Sequence, residues 1–189
     1  MVNMIKVLIA VFVLELIIGI AILGKNLTRA LIFRTAKTKN NEGIFLEAAT
    51  GALAAIISIV YYTQNKPDAT ILMWLGLIVF FCGGILQFIA RKQLFEDKTF
   101  EERARQSLEA ATTGIYSVIR HPSKTALLLM LLGICLSMGS YWSLGLLFVL
   151  FLPSVLYRIS QEEELLLDEF NDRWLAYKED TKKLIPYIL

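Results

Sequence analysis

The sequence predicts an all-α, polytopic membrane protein of about five transmembrane helices, folded as a single domain over residues 1–189. Hydrophobic residues make up 56% of the chain, and the mean hydropathy of +0.58 lies well above the soluble average. The apolar residues are gathered into five runs, and the polar segments between the runs carry most of the charge. No internal repeat or linker divides the chain.

The five apolar runs are the predicted spans. The first three contain about 20 residues each, enough at 1.5 Å per residue to cross a hydrocarbon core of about 30 Å. The last two are shorter and are separated only by Gly139-Ser140-Tyr141-Trp142. They therefore predict a tight helical hairpin with an interfacial aromatic tip, whose second arm Pro153 would kink. In chain order the runs are 4–23, 44–62, 71–90, 125–138 and 143–157.

The basic residues predict an orientation. Of the 19 lysines and arginines, 17 lie in three segments: between the first and second runs, between Arg91 and Lys124, and in the tail from Arg158. The positive-inside rule makes these segments cytoplasmic, with the N-terminus outside and the C-terminus cytoplasmic. The first run contains Glu15 and lacks a small-residue cleavage site, so we expect a retained helix and not a secretory signal. A net charge of +2 is too small to suggest nucleic acid, and the basic loops are expected to face anionic lipid headgroups.

The tail shows a helical period. Apolar, aromatic and acidic residues recur with spacings of 4, 3, 4 and 3, which predicts one face of a helix that continues from the fifth span and stops at Pro186. Arg158 and Glu162 are four residues apart and share a helix face. At the surface such a pair is worth only a few tenths of a kcal/mol; the alternative is a pocket in which the arginine orients an anion and the carboxylate receives a cation. The periodic residues are Glu163, Leu167, Phe170, Trp174 and Tyr177.

Two motifs in order carry a resemblance. The stretch GIYSVIRHP, residues 114–122, contains the only histidine, His121, and a hydrophobic hairpin follows it. Beyond the hairpin come Arg158, Glu162, Glu163, Leu166, Phe170, Trp174, Tyr177 and Pro186. This pattern resembles the isoprenylcysteine carboxyl methyltransferases and the related phospholipid methyltransferases, over roughly residues 90–187. Either motif alone is weak, and their combination around a hairpin is specific.

The resemblance implies S-adenosylmethionine as cofactor, bound at a cytoplasmic site formed by a loop and the C-terminal helix. Residues 1–90 would supply three transmembrane helices, and residues 91–189 the catalytic part. Arg158 and Glu162 are implied as catalytic residues, with Arg158 facing the acceptor. No metal is expected, because neither cysteine has metal-ligand spacing and a single histidine argues against zinc or haem. The implied cofactor-binding residues are Leu108, Glu109, Ala110, Ala111, Tyr116, His121, Pro122, Ser123, Lys124, Glu162 and Glu163.

The sequence departs from the family pattern at three positions. Trp174 replaces a tyrosine and keeps an aromatic face. Asn171 replaces a glycine, and asparagine is the next best residue for a left-handed backbone. Lys124 stands where the family has a tyrosine beside the cofactor, so it puts the local contacts and the acceptor in question.

Two residues of the first motif have structural alternatives. A lone histidine before a helix often bonds a nearby carbonyl, although the flanking pattern here favours a ligand role for His121. Arg120 could anchor to a lipid phosphate, pair with an acid or contact the cofactor, and the sequence leaves these roles open.

The function that follows is a membrane methyltransferase acting on a lipophilic acceptor that enters from the bilayer, through a lateral gap expected near Gly133. Carboxyl O-methylation of an isoprenylcysteine-like acceptor comes first. Phospholipid (ethanolamine) N-methylation or methylation of another small hydrophobic acceptor is close behind, and a phospholipid amine would need a base, Glu163 or His121. A membrane reductase of the steroid-reductase kind and a non-catalytic membrane scaffold are the alternatives from other classes.

Overall fold

The computed structural model describes residues 42–65, 67–68, 70–95 and 114–184, together with Lys6, Ala10 and Val13. Those three residues belong to the first apolar run and have helical backbones. The rest of the predicted first span, and the predicted cofactor-binding residues Leu108, Glu109, Ala110 and Ala111, lie outside the described residues.

The described chain is helical and contains no β-strand, which confirms the all-α prediction. The helices are α1 (Glu42–Asn65), α2 (Ile71–Phe95), α3 (Pro122–Ser137), α4 (Tyr141–Leu146), α5 (Leu152–Phe170) and α6 (Asp172–Asp180). A single turn of 3₁₀ helix, Gly114–Ser117, precedes α3, and a π-helical turn, Leu147–Phe151, joins α4 to α5 without a break.

Among the residues that the structure describes, three helical stretches are long and apolar enough to cross a membrane: α1, residues Ile71–Gln93 of α2, and the continuous helix Tyr141–Asp168. The α3 helix has 16 residues, a length of about 24 Å. Large apolar side chains such as Phe45, Ile56 and Ile78 project outward from α1 and α2, as lipid-facing side chains do. The chain is therefore an integral membrane protein, and five crossings remain a prediction.

The α3 helix packs most extensively against α2 and also contacts α1 and α4, and its Lys124 side chain reaches Glu162 of α5. Glycines bring α2 and α3 close, as small residues do in membrane bundles. A Cβ added at Gly133 would lie 2.5 Å from the backbone nitrogen of Phe80. The expected lateral gap near Gly133 is therefore wrong, because α2 fills that position. The apolar core on the α1 and α5 side includes Ala54, Leu131, Cys135, Leu147, Phe151, Val155 and Ile159.

The predicted hairpin is confirmed. Gly139, at φ +65°, reverses the chain after α3, and the Ser140 hydroxyl accepts a hydrogen bond from the amide of Ser143 to start α4. Trp142 is exposed at the tip. The π-helical turn precedes Pro153, whose ring would clash with the carbonyl four residues back in a regular α-helix, so the proline is accommodated by a wider turn.

The tail helix continues from the fifth span as predicted, but only to Phe170, and its extension to Pro186 as one continuous helix is wrong. Asn171, at φ +46°, ends α5 and starts α6, and it is the one non-glycine residue with positive φ in the described ranges. The asparagine thus occupies the backbone region expected from its place in the motif. Trp174 and Tyr177 of α6 are buried, whereas Leu167 of α5 is exposed.

We expect Gly133→Ala to lower the stability of the detergent-solubilised protein by about 1–3 kcal/mol, because the new methyl group overpacks the α2–α3 contact. Gly145→Ala is the matched control, since a Cβ there meets nothing within 4 Å and alanine favours the helix. Thermal unfolding followed by near-ultraviolet circular dichroism compares the two. Equal midpoints would contradict the close α2–α3 approach.

We expect Asn171→Gly to keep or raise stability and Asn171→Ala to lower it by about 1–2 kcal/mol, because only the alanine adds a steric cost at positive φ without a compensating polar side chain. Denaturation midpoints of both variants test this. A destabilised glycine variant with an unaffected alanine variant would argue against the break between α5 and α6.

Candidate functional site

The segment before α3 is anchored on the end of α2. Gln93 Oε1 accepts a hydrogen bond from the amide of Ile115 at 3.2 Å, and the buried Tyr116 donates its hydroxyl to the carbonyl of Ala90 at 3.3 Å. Gly114, at φ +58°, lies so close to Gln93 that a Cβ there would meet the amide nitrogen at 2.5 Å. The motif is thus held rigidly up to the residue where α3 begins.

The C-terminal segment folds back onto this motif as a short parallel bridge between Ile119 and Lys182. The amide of Arg120 donates to the carbonyl of Lys182 at 2.7 Å, and the amide of His121 donates to that of Lys183 at 3.2 Å. Leu184 then enters the apolar core. The two motifs that are distant in sequence are therefore joined by backbone hydrogen bonds.

Tyr177 adds a side-chain tie between the same segments. Its buried hydroxyl donates to the carbonyl of Tyr116 at 2.7 Å. Burial raises the pKa of Tyr177 to about 12, against the opposing effects of the Arg120 charge and the Thr181 hydrogen bond. The phenol therefore stays protonated and donates throughout the working pH range, in a packing role.

Arg120 is the centre of this junction. Its Nε donates to Glu163 Oε1 at 3.1 Å, and its Nη1 donates to the carbonyls of Lys178, at 3.0 Å, and Thr181. The last two carbonyls lie at the end of α6, where a cation is also favoured by the helix dipole. Among the roles that the sequence left open for Arg120, the structure supports pairing with an acid.

His121 lies between two carboxylates of α5. Its Nδ1 is 3.7 Å from Glu162 Oε2, and its Nε2 is 3.4 Å from Glu163 Oε1. The imidazole is 8% exposed and caps no backbone group of α3. Both ring nitrogens thus point toward acids, and the adjacent carbonyl is not the partner of the ring.

Arg158 and Glu162 meet as their spacing predicted, but inside the protein. Arg158 Nε is 2.9 Å from Glu162 Oε1, and the arginine is only 2% exposed. The contact is a buried ion pair, and among the cations near Glu162 the Arg158 guanidinium lies closest to its carboxylate.

Lys124 has a partner that sequence reasoning missed. Its Nζ donates a hydrogen bond to Glu47 Oε2 of α1, and it lies 3.8 Å from Glu162 Oε1. Both Lys124 and Glu47 are buried. The signal for Glu47 was its charge inside an apolar run, because an ionisable residue at membrane depth is expected to pair with another or to serve a function.

The structure thus brings together His121, Lys124, Arg158, Glu162 and Glu163, and it adds Glu47; these six residues are called the charged cluster below. Within the cluster the Glu162 side chain is the most accessible, at 22% exposure, against 7% for that of Glu163. Three other predicted site residues lie at its edge. Pro122 is buried at the first position of α3, Ser123 hydrogen-bonds the Gln87 side chain at 2.9 Å, and the Tyr116 hydroxyl is engaged by Ala90.

The cluster can act on charged ligands. Glu162 can receive a cation, Arg158 and Lys124 are cations for an anionic group, and His121 can hold or transfer a proton. No residue in the described ranges belongs to a group of three or more histidine, cysteine or acidic side chains arranged to hold a metal. The charged side chains of the cluster are suited to ionic binding and orientation of a ligand.

Comparisons with known proteins agree with this description. The family model described as phospholipid methyltransferase matches residues 71–173, more than half of the chain. The protein-S-isoprenylcysteine O-methyltransferase of Xenopus laevis is 27% identical over 162 aligned residues, which cover 76% of this chain and 51% of that protein. The chain thus spans about half the length of this curated relative. No solved structure matches significantly.

The resemblance drawn from the two sequence motifs is therefore confirmed. The steroid-reductase alternative finds no support in these comparisons. The matched range begins with α2 and runs through the hairpin to Arg173, so it includes every residue of the charged cluster except Glu47. The chain belongs to the phospholipid methyltransferase family.

Proposed function

We propose that this chain is an integral membrane methyltransferase that uses S-adenosylmethionine and methylates a lipophilic acceptor, with the carboxylate of an isoprenylcysteine-like molecule as the first candidate. One observation carries the proposal: the motif containing His121 and the motif containing Arg158 and Glu162 meet in one buried charged cluster. The family membership and the name of the relative support the reaction class.

The cluster fits the cofactor. When bound, S-adenosylmethionine supplies an electrophilic methyl group on a cationic sulfur, and it also carries an amino group and a carboxylate. Glu162 is the accessible acid for a cationic group, and His121 orients it. Lys124 and Arg158 supply positive charge for an anionic group. Leu108 to Ala111, with Pro122, Ser123 and Lys124, remain the predicted lining of this site.

Glu163 and Tyr116 are assigned positioning roles within the proposal. Glu163 forms ion pairs with Arg120 at 3.1 Å and with Lys183 at 3.6 Å. The Tyr116 hydroxyl donates a hydrogen bond to the carbonyl of Ala90. Their polar groups therefore hold the segment that carries His121 and are not available to the cofactor.

Methyl transfer from sulfur asks the protein mainly for alignment. A carboxylate acceptor is already anionic, so no residue has to remove a proton; one oxygen forms the new bond while the sulfur keeps the electron pair of the broken one. Arg158 would orient the acceptor carboxylate, and the buried surroundings would keep water away. Holding both reactants in place can supply most of the rate acceleration.

Phospholipid N-methylation is the second candidate, favoured by the description of the matching family. An amine acceptor has to lose a proton, and a base must accept it. Of the two candidates, Glu163 is held by Arg120, so His121 is the better base.

The membrane orientation is part of the proposal. The starts of α1 and α3 meet α5 at the end of the bundle where the charged cluster lies, and the end of α2 holds the segment before α3. In the sequence, the basic segments adjoin the start of α1, the end of α2 and the end of α5. We place this end in the cytoplasm, with five spans and the N-terminus outside, so that a soluble cofactor reaches Glu162 from the water side.

We expect purified wild-type protein to bind S-adenosylhomocysteine, and His121→Ala and Glu162→Gln each to weaken binding about tenfold or more, the effect of losing one hydrogen bond to a charged group. Glu164→Gln is the matched control, because Glu164 is exposed on the same helix. Isothermal titration calorimetry in detergent measures the affinities. A folded wild type without detectable binding would overturn the proposed cofactor.

We expect methyl transfer to an S-farnesylated cysteine derivative to give a base-labile product, because a methyl ester hydrolyses in alkali and an N-methyl group does not. The assay follows radiolabelled methyl groups, with phosphatidylethanolamine as the competing acceptor. With a carboxylate acceptor the rate should be flat from pH 6 to 8, whereas an amine acceptor that must be deprotonated should react faster as pH rises. An alkali-stable product formed only from the phospholipid would select the second candidate.

A further inference from the structure

The pair formed by Glu47 and Lys124 has no part in the proposed reaction so far. Glu47 lies in the second turn of α1, outside the range matched by the family, and Lys124 departs from the family pattern. Both are buried, and they join two helices that are far apart in sequence. Even a paired couple of buried charges is often no more stabilising than well-packed apolar residues of the same volume, so stability alone does not account for this pair.

The position of Lys124 supplies that reason. Its Nζ bonds Glu47 and lies 3.8 Å from Glu162 Oε1. Glu162 already has Arg158 at 2.9 Å and His121 at 3.7 Å. A third uncompensated cation would leave little negative charge on Glu162 for a cationic ligand. Glu47 compensates Lys124 and keeps the Glu162 carboxylate available.

We propose that Glu47 and Lys124 are positioning residues that hold Glu162 in place and set the preference of the site for a cationic ligand over its neutral counterpart. The inference rests on the proposed function. It makes α1, through Glu47, a contributor to the electrostatics of the cofactor site.

A merely structural tie between α1 and α3 is the competing explanation, and the choice of ligands separates the two. S-Adenosylmethionine and S-adenosylhomocysteine differ by one methyl group and by the positive charge on sulfur. If the pair were only a structural tie, loosening the fold would weaken the binding of both ligands by the same factor. Changing the charge beside Glu162 would change the ratio of their affinities.

The experiment measures both affinities by calorimetry, without acceptor, for wild type and three variants. Glu47→Gln adds a net positive charge to the cluster and should lower the preference for S-adenosylmethionine about tenfold, as one unit charge several ångströms away does at an effective dielectric constant of about 20. Lys124→Met should move the ratio in the opposite direction. The double variant restores the charge balance and should return the ratio to within about threefold of wild type. Glu42→Gln, an exposed acid on the same helix, is the control and should leave the ratio unchanged.

The possible outcomes test the charge-balancing role and the proposed function separately. Ratios that stay constant while the affinities fall, or single variants that move the ratio in the same direction, would overturn the charge-balancing role and leave a structural tie. A folded wild type that binds neither ligand would overturn the proposed function itself. If Glu47→Gln cannot be purified folded, Glu47→Asp replaces it: the carboxylate is withdrawn by one methylene, and the ratio should fall by a smaller factor in the same direction, with an unchanged ratio again counting against the role.

Discussion

A charge that is buried inside a helical bundle must be matched by an opposite charge, because an unpaired one costs several kcal/mol, and the packing of this protein depends on that constraint. Lys124 of α3 and Arg158 of α5 are almost fully buried cations, and the acids that face them come from α1 and α5. Apolar contacts alone would tolerate sliding of one helix along another. The ion pairs fix the relative heights of α1, α3 and α5 at the end of the bundle where the charged cluster lies.

The contacts that close the fold also position residues of the charged cluster. Arg120 ties Glu163 of α5 to the end of α6, and the backbone of the next residue, His121, is hydrogen-bonded to the returning tail. The residues that close the fold therefore also hold the imidazole between Glu162 and Glu163. A site whose proposed task is alignment gains from such support, because small displacements of the reacting groups are costly in rate.

Local sequence signals predicted the local structure well. The spacing of Arg158 and Glu162 placed them together, the uncharged Gly139–Trp142 segment marked the hairpin, and Asn171 occupies the backbone region that its position in the motif indicated. The period of the tail predicted the buried positions of Glu163, Trp174 and Tyr177 but not the exposure of Leu167. It also missed the break at Asn171, because a hydrophobic repeat does not show whether the helix axis bends. Contacts between remote segments had no such signal. Glu47 and Lys124 are 77 residues apart, and neither periodicity nor composition specifies which acid meets which cation across a bundle. The close contact between Gly133 of α3 and Phe80 of α2 likewise had no signal in the sequence.

The bridge between Ile119 and Lys182 has a consequence for the order in which the protein is completed during synthesis. Residues 119–121 leave the ribosome long before residues 182–184, yet each segment satisfies the backbone groups of the other, and Leu184 fills part of the core. A nascent chain that already holds all the helices described above would still lack this closure. The cluster around His121 becomes fully supported only after translation has passed residue 184.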